Sequence, residues 1–151
     1  MTATADTAPR AAAPWHYWLV TVVAIVWNAF GAYDYFMSKT GGDAYLQKNG
    51  MTDAQIAHMH AYPVWMTADW AIGVWGGLAA ALLLAARARY AFQVFALSLA
   101  AFLVMLVYTY GLTDGLKVMG QQGLIFNVII LALCVFFAWY ARLMTQRGVL
   151  R

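Results

Sequence analysis

Apolar residues in this chain come in blocks far longer than a turn of helix. Four runs stand out, roughly Trp15–Met37, Val64–Ala86, Tyr90–Leu112 and Leu124–Met144. Each is near the ~20 residues that a helix needs to cross the hydrocarbon core of a bilayer. Inside lipid the backbone must satisfy its own hydrogen bonds, which leaves helices or a closed barrel. Runs of this length without two-residue alternation exclude the barrel. The pattern predicts an all-α membrane protein, a single membrane domain over residues 1–151 built as a four-transmembrane-helix bundle.

The segments between the runs are unequal. Thr113–Gly123 is short, with Gly115, Gly120 and Gly123 as turn formers. Ser38–Pro63 is longer and contains a helix start. Thr52 suits an N-cap with Gln55 at N3, a capping box, and Met51 and Ile56 fall where a hydrophobic staple would place them. A short surface helix is predicted from about Asp53 to Ala61, and Pro63 suits the first turn of the second span. The Ala/Thr-rich residues 1–13 read as a frayed tail. The first run is too long for a signal-peptide core and lacks a small-residue cleavage site, so it is expected to remain as a span.

Composition narrows the class. Hydrophobic residues make up 64% and charged residues 10% of the 151, against about 25% charged in soluble domains. A soluble globule, a disordered chain and a nucleic-acid binder are all excluded, although the net charge is +3. The partner in contact with most of the surface is the lipid bilayer. Arg10, Arg87, Arg89, Arg142, Arg147 and Arg151 fall at one end of a four-span arrangement, and Lys39, Lys48 and Lys117 at the other. The positive-inside rule then puts both termini and the Arg87–Arg89 loop in the cytoplasm. Trp15, Trp18, Trp65 and Trp139 fit aromatic belts at the two interfaces.

An ionisable residue inside a span needs a reason, because it costs roughly 2.5–3.5 kcal/mol at mid-helix. Asp34 and Asp69 are the two examples. Asp34 lies near the outer end of the first span, where water or headgroups can reach it. Asp69 shares a stripe with Gly73 and Gly77, a small-xxx-small face that lets helices approach closely. It is expected to face the bundle interior and to meet Asn28, Thr109 or Asn127, and a leucine there is expected to crowd the interface. Gly31 sits between Asn28 and Asp34 as a third packing glycine. Polar groups concentrate in the outer halves of the spans, while the inner halves are almost wholly apolar. That asymmetry favours a pocket opening outward over a channel, which should be polar at every depth.

Other chemistry is thinly supported. His58 and His60 point to different sides of a helix, so a His–Met–His copper clip is disfavoured. His60 is instead expected to cover the pocket mouth, with His58 in solvent. No span carries a mid-depth histidine for haem. Cys134 has no partner for a disulfide or CxxC pair, and reads as a small core or lipid-facing residue. No catalytic motif is present, so no enzyme activity, metal or cofactor is expected.

Two stretches carry a family likeness. One runs Trp27-Asn28, Gly31, Asp34-Tyr35, and the other Pro63-Val64-Trp65 followed by Trp70, Gly73-Val74. They resemble small four-helix bacterial inner-membrane proteins with a WNxxGxxDY first helix, some of them labelled "sugar transporter". The resemblance covers most of the chain and implies a bacterial inner membrane and a four-helix fold, with no assigned activity. The expected function is binding, or helping to transport, a small polar molecule. Asn28, Asp34, Asp69 and Asn127 would supply polar contacts, Trp27 and Trp70 the walls, and His60 the cover. Transport by so small a chain would require a homo-oligomer. The alternative is a non-catalytic accessory or assembly subunit, docked on a membrane-complex partner through the Gly73/Gly77 face.

Overall fold

The computed structural model describes residues 11–151. It is all-α. In chain order the helices are α1 (Trp15–Thr40), α2 (Gly42–Lys48), α3 (Asp53–His60), α4 (Val64–Ala85), α5 (Ala91–Leu106) and α6 (Gly115–Gln146). A π-helical turn, Val107–Leu112, extends α5. Four helical stretches, with that turn included in the third, are long and apolar enough to cross a membrane. The chain is a multi-pass membrane protein. Large apolar side chains such as Val26, Leu97 and Ile129 stay exposed on its outer surface, where a soluble protein would carry charge.

The spans begin where the apolar runs begin, with one exception. The fourth helix starts at Gly115 rather than near Leu124, so the expected loop shrinks to Thr113–Asp114. A true turn remains inside it. Gly120 has φ 66° and ψ −174°, a combination open essentially to glycine alone. It separates a first outer turn of α6 from the long span. Gly115 and Gly123 are helical, and a Cβ on Gly115 would collide with the Thr109 carbonyl oxygen.

The outer segment between α1 and α4 holds two helices instead of one. α3 has the expected capping box: Gln55 N–H donates to Thr52 Oγ1 at 3.3 Å, and Thr52 N–H donates to Gln55 Oε1 at 3.0 Å. Ile56 is buried beneath it. The sequence pattern does not predict α2, because its seven residues include Gly42 and show no apolar period. Pro63 is the N-cap of α4, one place before the position expected.

The helices pack in the order α1–α4–α5–α6, with α4–α5 the most extensive contact. α1 and α6 barely meet along their backbones. They are joined in one half only. There Tyr17 and Tyr140 are buried at the centre, Tyr17 donates to the Leu84 carbonyl, and His16 Nδ1 pairs with Tyr140 Oη at 2.7 Å. Ala24, Ala80, Ala81, Ala138 and Ala141 complete this core with Leu84, Phe95, Phe137 and Met144. Alanines at the crossings let the backbones approach.

The same half is tied at its end. α4 closes in a Schellman motif, in which Arg87 N–H donates to the Leu84 carbonyl and Ala88 N–H to the Leu83 carbonyl. The left-handed position usually belongs to glycine, but Arg87 occupies it with φ 58°. Its guanidinium explains the choice, donating to the carbonyls of Val149 and Ala11. Arg89 N–H donates to the Arg151 carbonyl, and Arg151 N–H to that of Arg87. The frayed tail expected over residues 1–13 lies mostly outside the described residues, as does Arg10. Ala11 and Ala13, however, pack against the core.

Candidate functional site

The opposite half of the bundle is not filled. A cavity of about 190 Å³ lies among α1, α4, α5 and α6. Helical register puts the sequence-predicted residues there. On α1, Trp27, Asn28, Gly31 and Asp34 recur every three to four residues and present one stripe to it. On α4, Asp69, Trp70 and Gly73 do the same, and Asn127 comes from α6. Trp27, Asn28, Gly31, Asp34, Asp69, Trp70, Gly73 and Asn127 are thus gathered by one cavity.

Two predicted positions behave differently. Gly77 lies below the cavity, where a Cβ would overlap Asn28 Oδ1 and stand 3.3 Å from Ser98 Oγ. It is the tightest of the packing glycines. Gly73 is looser: a methyl added there would lie 3.9 Å from Ala101 Cβ, and one added to Gly31 would meet only Val74, at 4.0 Å. His60 does not reach the cavity. It is exposed and pairs with Asp43 Oδ1 of α2 at 2.7 Å. The reason is α2, which supplies an acidic partner on the solvent side of α3. His58 is the half-buried histidine, with its Nε2 3.3 Å from Thr113 Oγ1 and its ring against Tyr62.

The polar groups of the cavity differ in how well they are held. Asn28 Nδ2 donates to the Ala24 carbonyl at 2.7 Å. Asn127 Nδ2 donates to Tyr110 Oη at 2.8 Å and to the Gly123 carbonyl at 3.0 Å. Asp34 Oδ1 accepts from Tyr45 Oη at 2.9 Å. Desolvation, together with the Asp34 carboxylate, raises the Tyr45 phenol above its ordinary pKa, so it remains a donor. Asp69 is the outlier. Its Oδ2 is buried and has no hydrogen-bond partner among the described residues. The expected partners are all engaged elsewhere: Thr109 Oγ1 pairs with Tyr62 Oη at 3.0 Å, the Asn28 amide donates to the Ala24 carbonyl, and that of Asn127 to Tyr110 Oη and the Gly123 carbonyl. A buried polar atom left unpaired costs roughly 1–3 kcal/mol, and such a position invites a ligand group or water.

Sequence reasoning missed several neighbours. Ser98 lines the floor and donates to the Gly73 carbonyl at 2.6 Å. Its signal is the single serine of the third apolar run. Cys134 also lines the floor rather than facing lipid or a closed core. Tyr45 and Lys39 carry no signal, since both depend on α2 and the α1 overhang. Lys39 Nζ donates to Thr67 Oγ1 at 3.3 Å and lies 5.5 Å from the centre of the Trp70 ring, which is edge-on to Tyr35. Among the described residues no three His, Cys, Asp or Glu side chains come together as a metal site would require. Compared with protein families, curated proteins and solved structures, the chain matches none.

Proposed function

We propose that this protein is a small-molecule binding protein of a bacterial inner membrane, with both termini in the cytoplasm, which holds its ligand in the outer half of the bundle. The buried, unpaired Oδ2 of Asp69, a residue that borders the unfilled space, carries the reading. A buried structural carboxyl group usually has a hydrogen-bond partner. Asp34, Asn28, Asn127 and Ser98 supply further polar contacts, while Trp27, Trp70 and Phe102 give the cavity a mainly apolar wall. The ligand therefore combines polar and apolar parts, as ligand sites of this kind usually require. A role in transport would draw on the same site. The likeness to the WNxxGxxDY proteins agrees with it, since Trp27, Asn28, Gly31 and Asp34 all border the cavity.

The test is native mass spectrometry of the protein extracted directly into lipid nanodiscs. The expected result is a stoichiometric small molecule on the wild type, reduced by about tenfold in Asp69→Leu, the loss expected when a charge-assisted hydrogen bond is removed. A bare polypeptide in both samples would reject the binding reading. A second polypeptide in place of a small molecule would favour the accessory-subunit alternative.

A further inference from the structure

The cavity is better closed towards water than towards lipid. Three contacts lie across its outer end: Tyr45 on Asp34, Lys39 on Thr67, and the Tyr35 edge on the Trp70 ring. Between α1 and α6 there is no such cover among the described residues. Phe30 and Phe126 both border the cavity, yet they are 61% and 55% exposed. They stand on the two helices whose backbones barely meet. The Tyr17–Tyr140 contacts that join those helices lie in the other half. The gap thus faces the side of the bundle, at the depth of the acyl chains.

Size and charge say what could use that gap. At about 190 Å³ the cavity is somewhat larger than an apolar cavity of about 150 Å³ that takes up benzene. That admits a head group and its first carbons. Among the described residues the wall carries two carboxyl side chains, Asp34 and Asp69, and no basic one. An anionic head group would be repelled there. A hydrogen-bond donor would meet the Asp69 carboxyl group at the wall.

Resting on the small-molecule reading above, we infer that the ligand is a membrane-dissolved amphiphile with an amine or hydroxyl head group, which enters sideways between α1 and α6. Its head reaches Asp69, and its tail leaves past Phe30 and Phe126 into the bilayer.

Photolabelling in nanodiscs tests this. Dodecylamine, dodecanol and dodecanoic acid, each with a diazirine beside the head group, are the probes. The amine and the alcohol should label Phe30, Phe126 and Ile130, and the acid about tenfold less. Ile130→Trp, which fills the gap, should lower both labels. Asp69→Asn, which keeps a polar side chain of the same size, should lower amine labelling about tenfold while the alcohol label persists. Unlabelled dodecylamine should compete, and ethanolamine, which has no tail, should not. Equal competition by ethanolamine would overturn sideways access and leave the small-molecule reading standing. Equal labelling by the acid would overturn the head-group assignment. Labelling spread evenly over the lipid-facing surface, unchanged by either substitution, would overturn the inference as a whole. The small-molecule reading would still be decided separately, by the mass of what co-purifies.

Discussion

At the residue scale, Asp69 is where sequence and structure part most usefully. The stripe it shares with Gly73 and Gly77 directs it inward, and inward it points. The same stripe suggests a tight interface that leucine would crowd. The interface is tight about two turns further in, at Gly77, because Asn28 reaches across only there. Periodicity reports direction along a helix but not the gap to the next one, so a cavity and a contact look alike in sequence. The expected outcome changes accordingly. Asp69→Leu replaces an unpaired oxygen with apolar volume beside empty space, and should stabilise the apo-protein by about 1 kcal/mol. Asp69→Asn should leave stability nearly unchanged. Thermal unfolding in detergent, in the absence of added ligand, checks both. A large loss of stability in Asp69→Leu would return Asp69 to a structural role. Stability gained while binding is lost is the usual signature of a residue kept for function.

Among the elements, those written in local chemistry are readable and those made by tertiary contact are not. α3 is legible because Thr52 and Gln55 form its cap within four residues. α2 is not, since it is held by tertiary contacts such as Tyr45 on Asp34 and Asp43 on His60, and its end is a Gly50 motif without apolar periodicity. The outer start of α6 is hidden for a related reason: Gly115, Gly120 and Gly123 together look like a loop, but of these only Gly120 has positive φ. Two measurements follow from these local causes. Thr52→Ala removes one cap hydrogen bond and should cost about 1 kcal/mol, seen as faster amide exchange over Asp53–His60 with the spans unaffected. Gly120→Ala forces a methyl-bearing residue into φ 66°, ψ −174° and should cost roughly 1–3 kcal/mol. Its exchange signature should centre on the first turn of α6. An alanine variant with wild-type stability would mean that the turn is not adopted in the bilayer.

For the whole molecule, the division into a sealed half and an open half organises everything else. The distribution of residue types foretells it, through apolar inner halves and polar outer ones, but the sideways gap depends on α1 and α6 failing to meet and has no sequence signature. The proposed orientation puts the sealed half at the cytoplasmic face. Lys48→Cys and Lys117→Cys should then react with an impermeant maleimide in intact cells, and Arg89→Cys, an exposed position, should not; the reverse pattern would invert the topology. The sealed half also explains how a cavity can be tolerated in so small a bundle: Arg87 bonds the end of α4 to the segment after α6 and to the segment before α1, beside the Arg89–Arg151 backbone bond. Arg87 performs two separable tasks there. Its side chain bonds the Ala11 and Val149 carbonyls, and its backbone adopts a φ of 58° that costs a non-glycine residue roughly 1–2 kcal/mol. Arg87→Ala removes the bonds and keeps the strain, whereas Arg87→Gly removes both. Both variants should melt below wild type, with the glycine variant about 1 kcal/mol more stable than the alanine one. Neither should change ligand retention once folded, because the clamp and the cavity share no side chain and distant sites add independently. Equal stability of the two variants would show that the left-handed backbone relaxes when the guanidinium is gone. Loss of ligand from a folded Arg87→Gly protein would show that the two halves are coupled, and that the clamp sets the spacing of α1 and α6 at the gap.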